Sequence, residues 1–199
     1  MSFITSYCRI KSRFVIVDGK HIFSGSGNLE SFAMSLYEHL KIDYPKVYKM
    51  DNLARFGFLA AELVLTNYRI NDPYTTSVIL SNSAGSLDTD SHYQQASAKA
   101  PSPSVFVYTL PNIVVGEICI RNGIKGESNF FVMPEYDPDF LSSYLRTLMG
   151  RNITVCIAGW VEVLGEESDV FLYLVTEHKA GLGLEHTSRN LKELYLQHG

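Results

Sequence analysis

The sequence has few of the residues and runs on which disulfide, metal and membrane chemistry depend. Its 199 residues include only three cysteines, which all lie in apolar runs without metal-ligand spacing: Cys8, Cys119 and Cys156. No apolar run approaches the ~18 residues of a membrane span, and charged side chains interrupt the runs near the N-terminus. We therefore predict a cytoplasmic protein with no disulfide, no membrane span and no signal peptide.

The motifs of nucleotide binding and of nucleophilic catalysis are also missing. Gly25 and Gly27 lack the third glycine of a dinucleotide fingerprint, and no phosphate-binding loop or Gly-x-Ser-x-Gly elbow occurs. Asp88 and Asp90 follow a predicted strand and turn, but no third metal ligand accompanies them. The sequence thus predicts no cofactor, no metal site and no catalytic residue.

Positive charge and histidine pairs are scarce as well. A net charge of -4 and a sequence pI of about 5.8 do not fit a protein that binds nucleic acid by neutralising phosphates. The six histidines include no pair with the spacing of a zinc site. His178 and His186 flank a Gly-rich loop, and we expect both to be exposed.

The sequence does contain a regular series of apolar segments, in a chain long enough to bury one core. Hydrophobic residues make up 46% of it, and we assign residues 1–199 to a single domain. Strand patterns cover residues near 3–10, 77–82, 128–133, 153–158 and 170–176, with a short β segment at 14–17. Helix patterns cover 29–40, 49–67, 87–96, 110–121, 138–149 and 188–197, with polar loops at 21–28 and 97–104.

In order, the main segments give β-α-β-α-β-α-β-β, an α/β fold with a five-stranded mixed sheet and helices on both faces. Helix-length crossovers favour a parallel core, and the short loop before the last strand favours an antiparallel edge strand. Asp137 and Pro138 are predicted to begin the helix at 138–149. The small face around Gly57 predicts that another element packs close to the helix at 49–67.

The most informative stretch runs from residue 103 to residue 131. It combines a turn, a helix with a glycine inside it, a glycine-rich stop and a β-rich run. Thr109 is predicted to cap the helix at 110–121. The residues that give the stretch its character are Phe106, Thr109, Leu110, Pro111, Asn112, Gly116 and Gly126.

This stretch resembles the Phe-x-x-Thr-Leu-Pro-Asn segment of β-ketoacyl synthases, enzymes of the thiolase fold. In the family a helix, a glycine and the strand leading to the nucleophilic cysteine follow it. Segments 48–62, 77–87 and 153–161 are similar to the family in the same order, so the resemblance covers most of residues 1–176. It implies a single thiolase-like half, with the first strand in the middle of the sheet and the strand at 128–133 at one edge.

The sequence departs from the family where the enzymes keep their catalytic residues. The position of the nucleophilic cysteine falls within residues 133–136, and counting from Gly126 places it at Glu135. A carboxylate there cannot form a thioester by acyl transfer. The family's second half, with its histidines for decarboxylation, has no counterpart in these 199 residues. The resemblance therefore implies a protein that is not an enzyme by itself.

Ketosynthase-like subunits without the cysteine are known in the family as chain-length factors of type II polyketide systems, and truncated relatives accompany aryl polyene pathways. We therefore interpret the chain as a non-catalytic subunit in carrier-protein-dependent fatty acid or polyketide elongation of the aryl polyene type. Its implied partner is a full-length β-ketoacyl synthase in a heterodimer, and through it an acyl carrier protein. The alternatives are a malonyl-carrier decarboxylase that uses Glu135, and a homodimeric acyl-binding or scaffold protein.

Family dimers pair the strand before the cysteine across their two-fold axis. The implied interface here is Asn129, Phe130, Phe131, Val132 and Met133, although an ordinary core strand has the same apolar pattern. Alternation along a strand places Phe130 and Phe131 on opposite faces. Because an open apolar edge promotes aggregation, we expect a dimer: a heterodimer with the ketosynthase in the cell, with a homodimer left open for the chain alone.

Overall fold

The computed structural model of the protein describes residues 1–97 and 102–197. Its strands are β1 (Phe3–Lys11), β2 (Phe14–Val17), β3 (Lys20–Ser24), β4 (Thr76–Asn82), β5 (Ser128–Val132), β6 (Val155–Leu164), β7 (Glu167–Thr176) and β8 (Leu184–Glu185). Its helices are α1 (Leu29–Leu40), α2 (Asn52–Val64), α3 (Leu87–Ser97), α4 (Pro103–Val107), α5 (Ile113–Asn122), α6 (Pro138–Met149) and α7 (Ser188–Leu196), with a 3₁₀ helix at Pro45–Lys49.

One mixed sheet organises the chain, in the order β3-β2-β1-β7-β6-β4-β5, with β8 alongside β1. β4 is parallel to both β5 and β6, whereas β7 is antiparallel to β6 and to β1. The α/β class, the parallel core and the edge position of the strand at 128–133 are confirmed. The described residues form eight strands where the sequence predicts five and a short segment.

Two predictions about strand position are wrong. The last long strand, β7, is not at an edge, because it pairs with β6 on one side and with β1 on the other. The first strand is not in the middle of the path, because β7 takes that place. The reason lies in the burial of β7: its residues from Val170 to Thr176 are all buried, so that it requires a neighbouring strand on each side.

β2 and β3 follow β1 in two successive hairpins, and β8 is added near the C-terminus. Ser12 and Arg13 turn the chain with φ of 50° and 64°, and Asp18 and Gly19 do so again with φ of 51° and 78°. Such paired left-handed residues form the two-residue turns that match the twist of a hairpin. The predicted loop at 21–28 is therefore partly strand β3. Residues 98–101 of the predicted loop at 97–104 lie outside the described residues, and α4 begins within it at Pro103.

Helices cover both faces of the sheet, as predicted. α1, α2 and α5 pack on one face, and α6 and α7 pack on the other. α2 lies close to its neighbours because Gly57 has no side chain: a Cβ there would lie 2.3 Å from Cγ2 of Val114 on α5. No helix within the described residues is long and apolar enough to cross a membrane.

The helix ends agree with the sequence in one place and differ in others. Asp137 caps α6 as predicted, since its Oδ1 accepts a hydrogen bond from the Phe140 N–H at 2.8 Å. The predicted helix at 49–67 is shorter, because Asp51 caps α2 and the preceding residues form the 3₁₀ helix. The Asp137 cap places the start of α6 at Pro138, after a connection of residues 133–137 from the carboxyl end of β5.

Candidate partner-binding edge

Within the described residues the main path of the sheet ends in the edge strands β3 and β5, with the two-residue β8 beside β1, and β3 but not β5 is protected against pairing. β3 begins with Lys20 and His21, and a bulge between Val15 and Ile16 interrupts its pairing with β2. Charges and bulges are usual means by which edge strands avoid another chain. The opposite edge is β5, Ser-Asn-Phe-Phe-Val, which has no charge and a regular register with β4. β5 is thus the edge that is open to another strand.

The peptide groups of β5 alternate between β4 and the open side. The Met133 N–H donates to the Asn82 carbonyl of β4 at 2.8 Å. Because successive residues of a strand alternate, the N–H and C=O groups of the odd-numbered residues point towards β4. The N–H and C=O groups of Phe130 and Val132 consequently face away from β4. They form a short row of donors and acceptors with which a strand of another chain can pair.

The side chains of β5 extend to both faces of the sheet. Phe130 packs against the core beneath α2 and α5, whereas Phe131 packs against α6, with ring centroids 5.0 Å from Phe140 and 5.1 Å from Tyr144. Val132 is 60% exposed. Met133 is half-buried in the α6 layer. The strand is therefore held firmly from both faces while its edge and Val132 stay accessible.

The outer face of α5 continues this accessible surface on the side of Phe130. A Cβ at Gly116 or at Gly123 would have no atom within 4 Å, and Ile120 between them is 66% exposed. These three positions share one helix face because they are spaced four and three residues apart. α5, which packs on the same face of the sheet as Phe130, thus has an accessible outer face.

The other family-like residues lie around the start of α5. Phe106 and Leu110 are about half exposed, and Pro111 is half-buried. Thr109 does not cap α5, because its hydroxyl donates to the Phe106 carbonyl at 2.7 Å and closes α4 instead. Asn112 occupies the N-cap position without a side-chain hydrogen bond. The prediction for Thr109 is wrong because the sequence gives no clear sign of the short α4.

Gly126 has a steric role at the entry to β5. A Cβ at this position would lie 2.2 Å from the Thr76 carbonyl oxygen, the first residue of β4. Only glycine lets the chain pass this close to β4, so Gly126 positions β5 against its single neighbour. Gly116, by contrast, lies against open space.

The residues at the expected nucleophile position follow β5. Glu135 is exposed, and it has no hydrogen bond or ion pair to any residue in the described ranges. Tyr136 is buried, and Asp137 then caps α6. The N-terminus of α6, where a helix could lower the pKa of a thiol, is therefore occupied by a carboxylate.

Aromatic rings and an ion pair fill the space behind this position. The Tyr136 ring meets those of Trp160, Phe171 and Tyr195, with centroids 4.5 to 6.4 Å apart. Arg9, which is 1% exposed, forms an ion pair with Asp169 on β7 and lies under the Tyr195 ring of α7. Burial raises the pKa of Tyr136 well above its ordinary value. These rings fill the interior beside the start of α6.

Two polar pairs near these elements escape sequence reasoning. Glu162 on β6 accepts hydrogen bonds at 2.6 Å from both the N–H and the hydroxyl of Ser83, just beyond β4. Glu117 is buried on α5, where it pairs with Lys46 at 2.7 Å and accepts from the Tyr108 hydroxyl at 3.1 Å. No sequence signal marks either pair, because the partners are joined only by the fold. The first pair connects the loop after β4 to β6, and the second connects α5 to the 3₁₀ helix and to the end of α4.

A cleft of about 820 Å³ opens away from the β5 edge, between the first residues of α1, α2 and α3 and the short α4. Asp51 accepts from the Ala54 N–H at 2.8 Å and from the Thr89 hydroxyl at 2.6 Å, and burial raises its pKa. Asp88 accepts from the Gly165 N–H at 2.6 Å. These two carboxylates of the cleft thus stabilise loops and helix starts. The described residues contain no cluster of side chains that could hold a metal ion.

The three cysteines, His178 and His186 play no part in these surfaces, whereas His92 lines the cleft. Cys8 and Cys156 are fully buried, burial raises the pKa of both thiols, and it raises the pKa of Cys119 to about 11. His178 is exposed as predicted. His186 is only 6% exposed, so the prediction for it is wrong: its ring packs against Tyr173 where β8 meets β1.

No protein-family model and no curated protein matches the sequence. Comparison with solved structures identifies similar folds. Among solved structures, a ketosynthase (ApeO) in complex with its chain length factor (ApeC) from Xenorhabdus doucetiae matches with a TM-score of 0.60 and 11% identity. The match covers 89% of this chain and 79% of the other, which is therefore only slightly longer.

Two further structures are similar over most of this chain. A type II polyketide ketosynthase bound to its acyl-carrier protein and a hexaketide (AntDE:AntF) matches with a TM-score of 0.61 and 13% identity, over 89% of this chain and 62% of the other. The ishigamide ketosynthase/chain length factor matches with a TM-score of 0.57 and 8% identity, over 88% and 58%. The chain thus has the thiolase-like ketosynthase fold and spans less than two thirds of these two matched chains.

Proposed function

We propose that this chain is a non-catalytic, chain-length-factor-like subunit that pairs through β5 with a β-ketoacyl synthase. The observation that carries the proposal is the open, uncharged edge of β5, which leads to a position with a carboxylate in place of a nucleophile. The matched structures add support, because ketosynthases with chain length factors are among them. Through such a partner the chain would contact an acyl carrier protein, and an aryl polyene type pathway is its proposed context.

The test is co-expression with a full-length β-ketoacyl synthase encoded beside it, followed by affinity purification through a tag on the synthase. We expect a stable one-to-one complex, because β-strand addition supplies main-chain hydrogen bonds and buries Val132. Val132→Lys should abolish the complex, since a charged side chain would enter the pairing edge. Leu196→Lys is the matched control, because Leu196 is also 60% exposed but lies on α7.

The geometry supports the decarboxylase alternative less strongly. A decarboxylase that uses Glu135 would need a substrate pocket around this carboxylate, and Glu135 is exposed and makes no polar contact within the described residues. A homodimeric scaffold would use the same β5 edge. A chain that forms no complex with the synthase, but decarboxylates a malonyl carrier in a manner that Glu135→Gln abolishes, would overturn the proposal.

A further inference from the structure

We propose that Glu127 and Glu135 make the β5 edge selective for a partner strand with basic residues at its ends, and disfavour pairing with a second copy of this chain. The proposal rests on the proposed function only in taking β5 as the pairing edge. It assigns the two carboxylates a part in choosing the partner, which neither the fold nor the matched structures give them.

The two carboxylates bracket an uncharged strand. Glu127 precedes β5 by one residue and Glu135 follows its last residue by three, and both are exposed. Neither forms an ion pair with any residue in the described part of the chain. The nearest cation in sequence, Lys125, has its Nζ 5.2 Å from the centre of the Tyr74 ring. Each end of the edge therefore has a carboxylate that forms no ion pair with the described residues.

Glu127 is held in place beside the start of the strand. Its Oε1 accepts hydrogen bonds from the Tyr144 hydroxyl at 2.9 Å and from Asn129 Nδ2 at 3.2 Å, and Asn129 Nδ2 also lies 2.8 Å from the Tyr144 hydroxyl. Its other oxygen stays free to accept from a partner. A lysine or arginine on a neighbouring strand could bind this carboxylate without first ordering it, which lowers the entropic cost of the contact.

Self-pairing brings these charges together. In a two-fold antiparallel pair, the start of one strand lies beside the end of the other. Glu127 of one copy would then lie near Glu135 of the second copy at both ends of the pair. Like charges opposed across an interface reduce affinity and discriminate against the wrong partner. A partner strand with lysine or arginine at these ends turns the same two contacts into attraction.

The experiment measures self-association of the full chain alone, by sedimentation velocity at low salt. The wild type should be monomeric, whereas Glu127→Lys should associate at least about tenfold more tightly, because it creates two opposite-charge contacts per pair. Roughly 0.5 M NaCl should remove this gain. The double variant Glu127→Lys/Glu135→Lys restores like charges and should be monomeric again. Val132→Pro added to Glu127→Lys should abolish the dimer if it forms through β5.

Glu193→Lys, on the exposed side of α7, controls for the change in net charge, and circular dichroism checks that each variant folds. If Glu127→Lys does not fold, Glu127→Gln/Glu135→Gln replaces it, and removal of both charges should also strengthen self-association. A wild type that dimerises regardless of salt, or a Glu127→Lys chain no more associated than Glu193→Lys, refutes the proposal. Failure to bind a ketosynthase would instead refute the proposed function, since this test needs no partner.

Discussion

At the level of single residues, burial makes all three cysteines weak nucleophiles. Cys8 and Cys156 have no exposed surface, and burial raises the pKa of each thiol, as it raises that of Cys119 to about 11. A thiol with a pKa that high is almost wholly protonated at neutral pH, and the thiolate is the reactive form. None of the three cysteines therefore has the low pKa that is typical of a reactive thiol.

We predict that no cysteine is acylated in the folded protein. Incubation with an acyl-loaded carrier protein or a cerulenin-like electrophile at neutral pH should leave the intact mass unchanged. Denatured protein should react at all three thiols, which controls for the reagent. A stoichiometric adduct on one cysteine of the folded protein would show that a nucleophile exists after all.

His186 is a buried base whose protonation opposes folding. Burial lowers its pKa to about 4 and the nearby Arg146 acts in the same direction, whereas an unfolded chain keeps a value of about 6.5. Because the unfolded chain binds the proton first, the free energy of unfolding should decrease as the pH falls from 6.5 towards 4. The limit of this decrease is about 3 kcal/mol.

The measurement is urea unfolding of wild type and His186→Gln between pH 7 and pH 4. The variant should lose this part of the pH dependence, and its stability at pH 7 should fall because the ring contact with Tyr173 is lost. His178→Gln, at an exposed position, should keep the wild-type dependence. Parallel pH profiles for wild type and His186→Gln would contradict the prediction.

Two glycines that look alike in the sequence have different roles in the elements around β5. A Cβ on Gly126 would meet the Thr76 carbonyl oxygen at 2.2 Å, whereas a Cβ on Gly116 would meet no atom within 4 Å. We predict that Gly126→Ala destabilises the protein by more than about 2 kcal/mol, because backbone atoms of β4 would have to move. Gly116→Ala should stabilise α5 by roughly 0.5–1 kcal/mol, because alanine favours the helix.

Chemical denaturation of the two variants tests this pair. Gly126→Ala should also weaken any complex that forms through β5, since it displaces the strand from its only neighbour. Equal stabilities for the two alanine variants would show that the strand entry tolerates a side chain.

The elements that the sequence predicts are those whose pattern is local. The five main strands, α1 and the Asp137 cap of α6 follow from apolar periodicity and capping chemistry. β3 is missed because its side chains are mostly polar, although Asp18-Gly19 is a known hairpin signal. The open edge of β5 was expected from the family resemblance. The contact of Glu162 with Ser83 and the burial of His186 could not be predicted, because both depend on strands that only the fold brings together.

At the scale of the whole molecule, one buried ion pair joins three distant parts of the chain. Arg9 on β1 pairs with Asp169 on β7, and the Tyr195 hydroxyl on α7 donates to the same carboxylate at 2.8 Å. Arg9 is almost fully buried, whereas the Asp169 side chain is 28% exposed. The Arg9 guanidinium therefore needs its partner more than the Asp169 carboxylate does, because only the guanidinium has no access to water.

We predict that Asp169→Asn destabilises the protein by about 3–5 kcal/mol, because it leaves a buried guanidinium without its counter-charge. Arg9→Met should cost less, since the remaining carboxylate keeps the Tyr195 hydrogen bond and some contact with water. The double variant Arg9→Met/Asp169→Asn should be more stable than Asp169→Asn alone, because the unpaired charge is removed. Urea unfolding followed by circular dichroism measures all three. If Arg9→Met proves as costly as Asp169→Asn, the packing of the arginine side chain beneath Tyr195, and not its charge, is what joins α7 to the sheet.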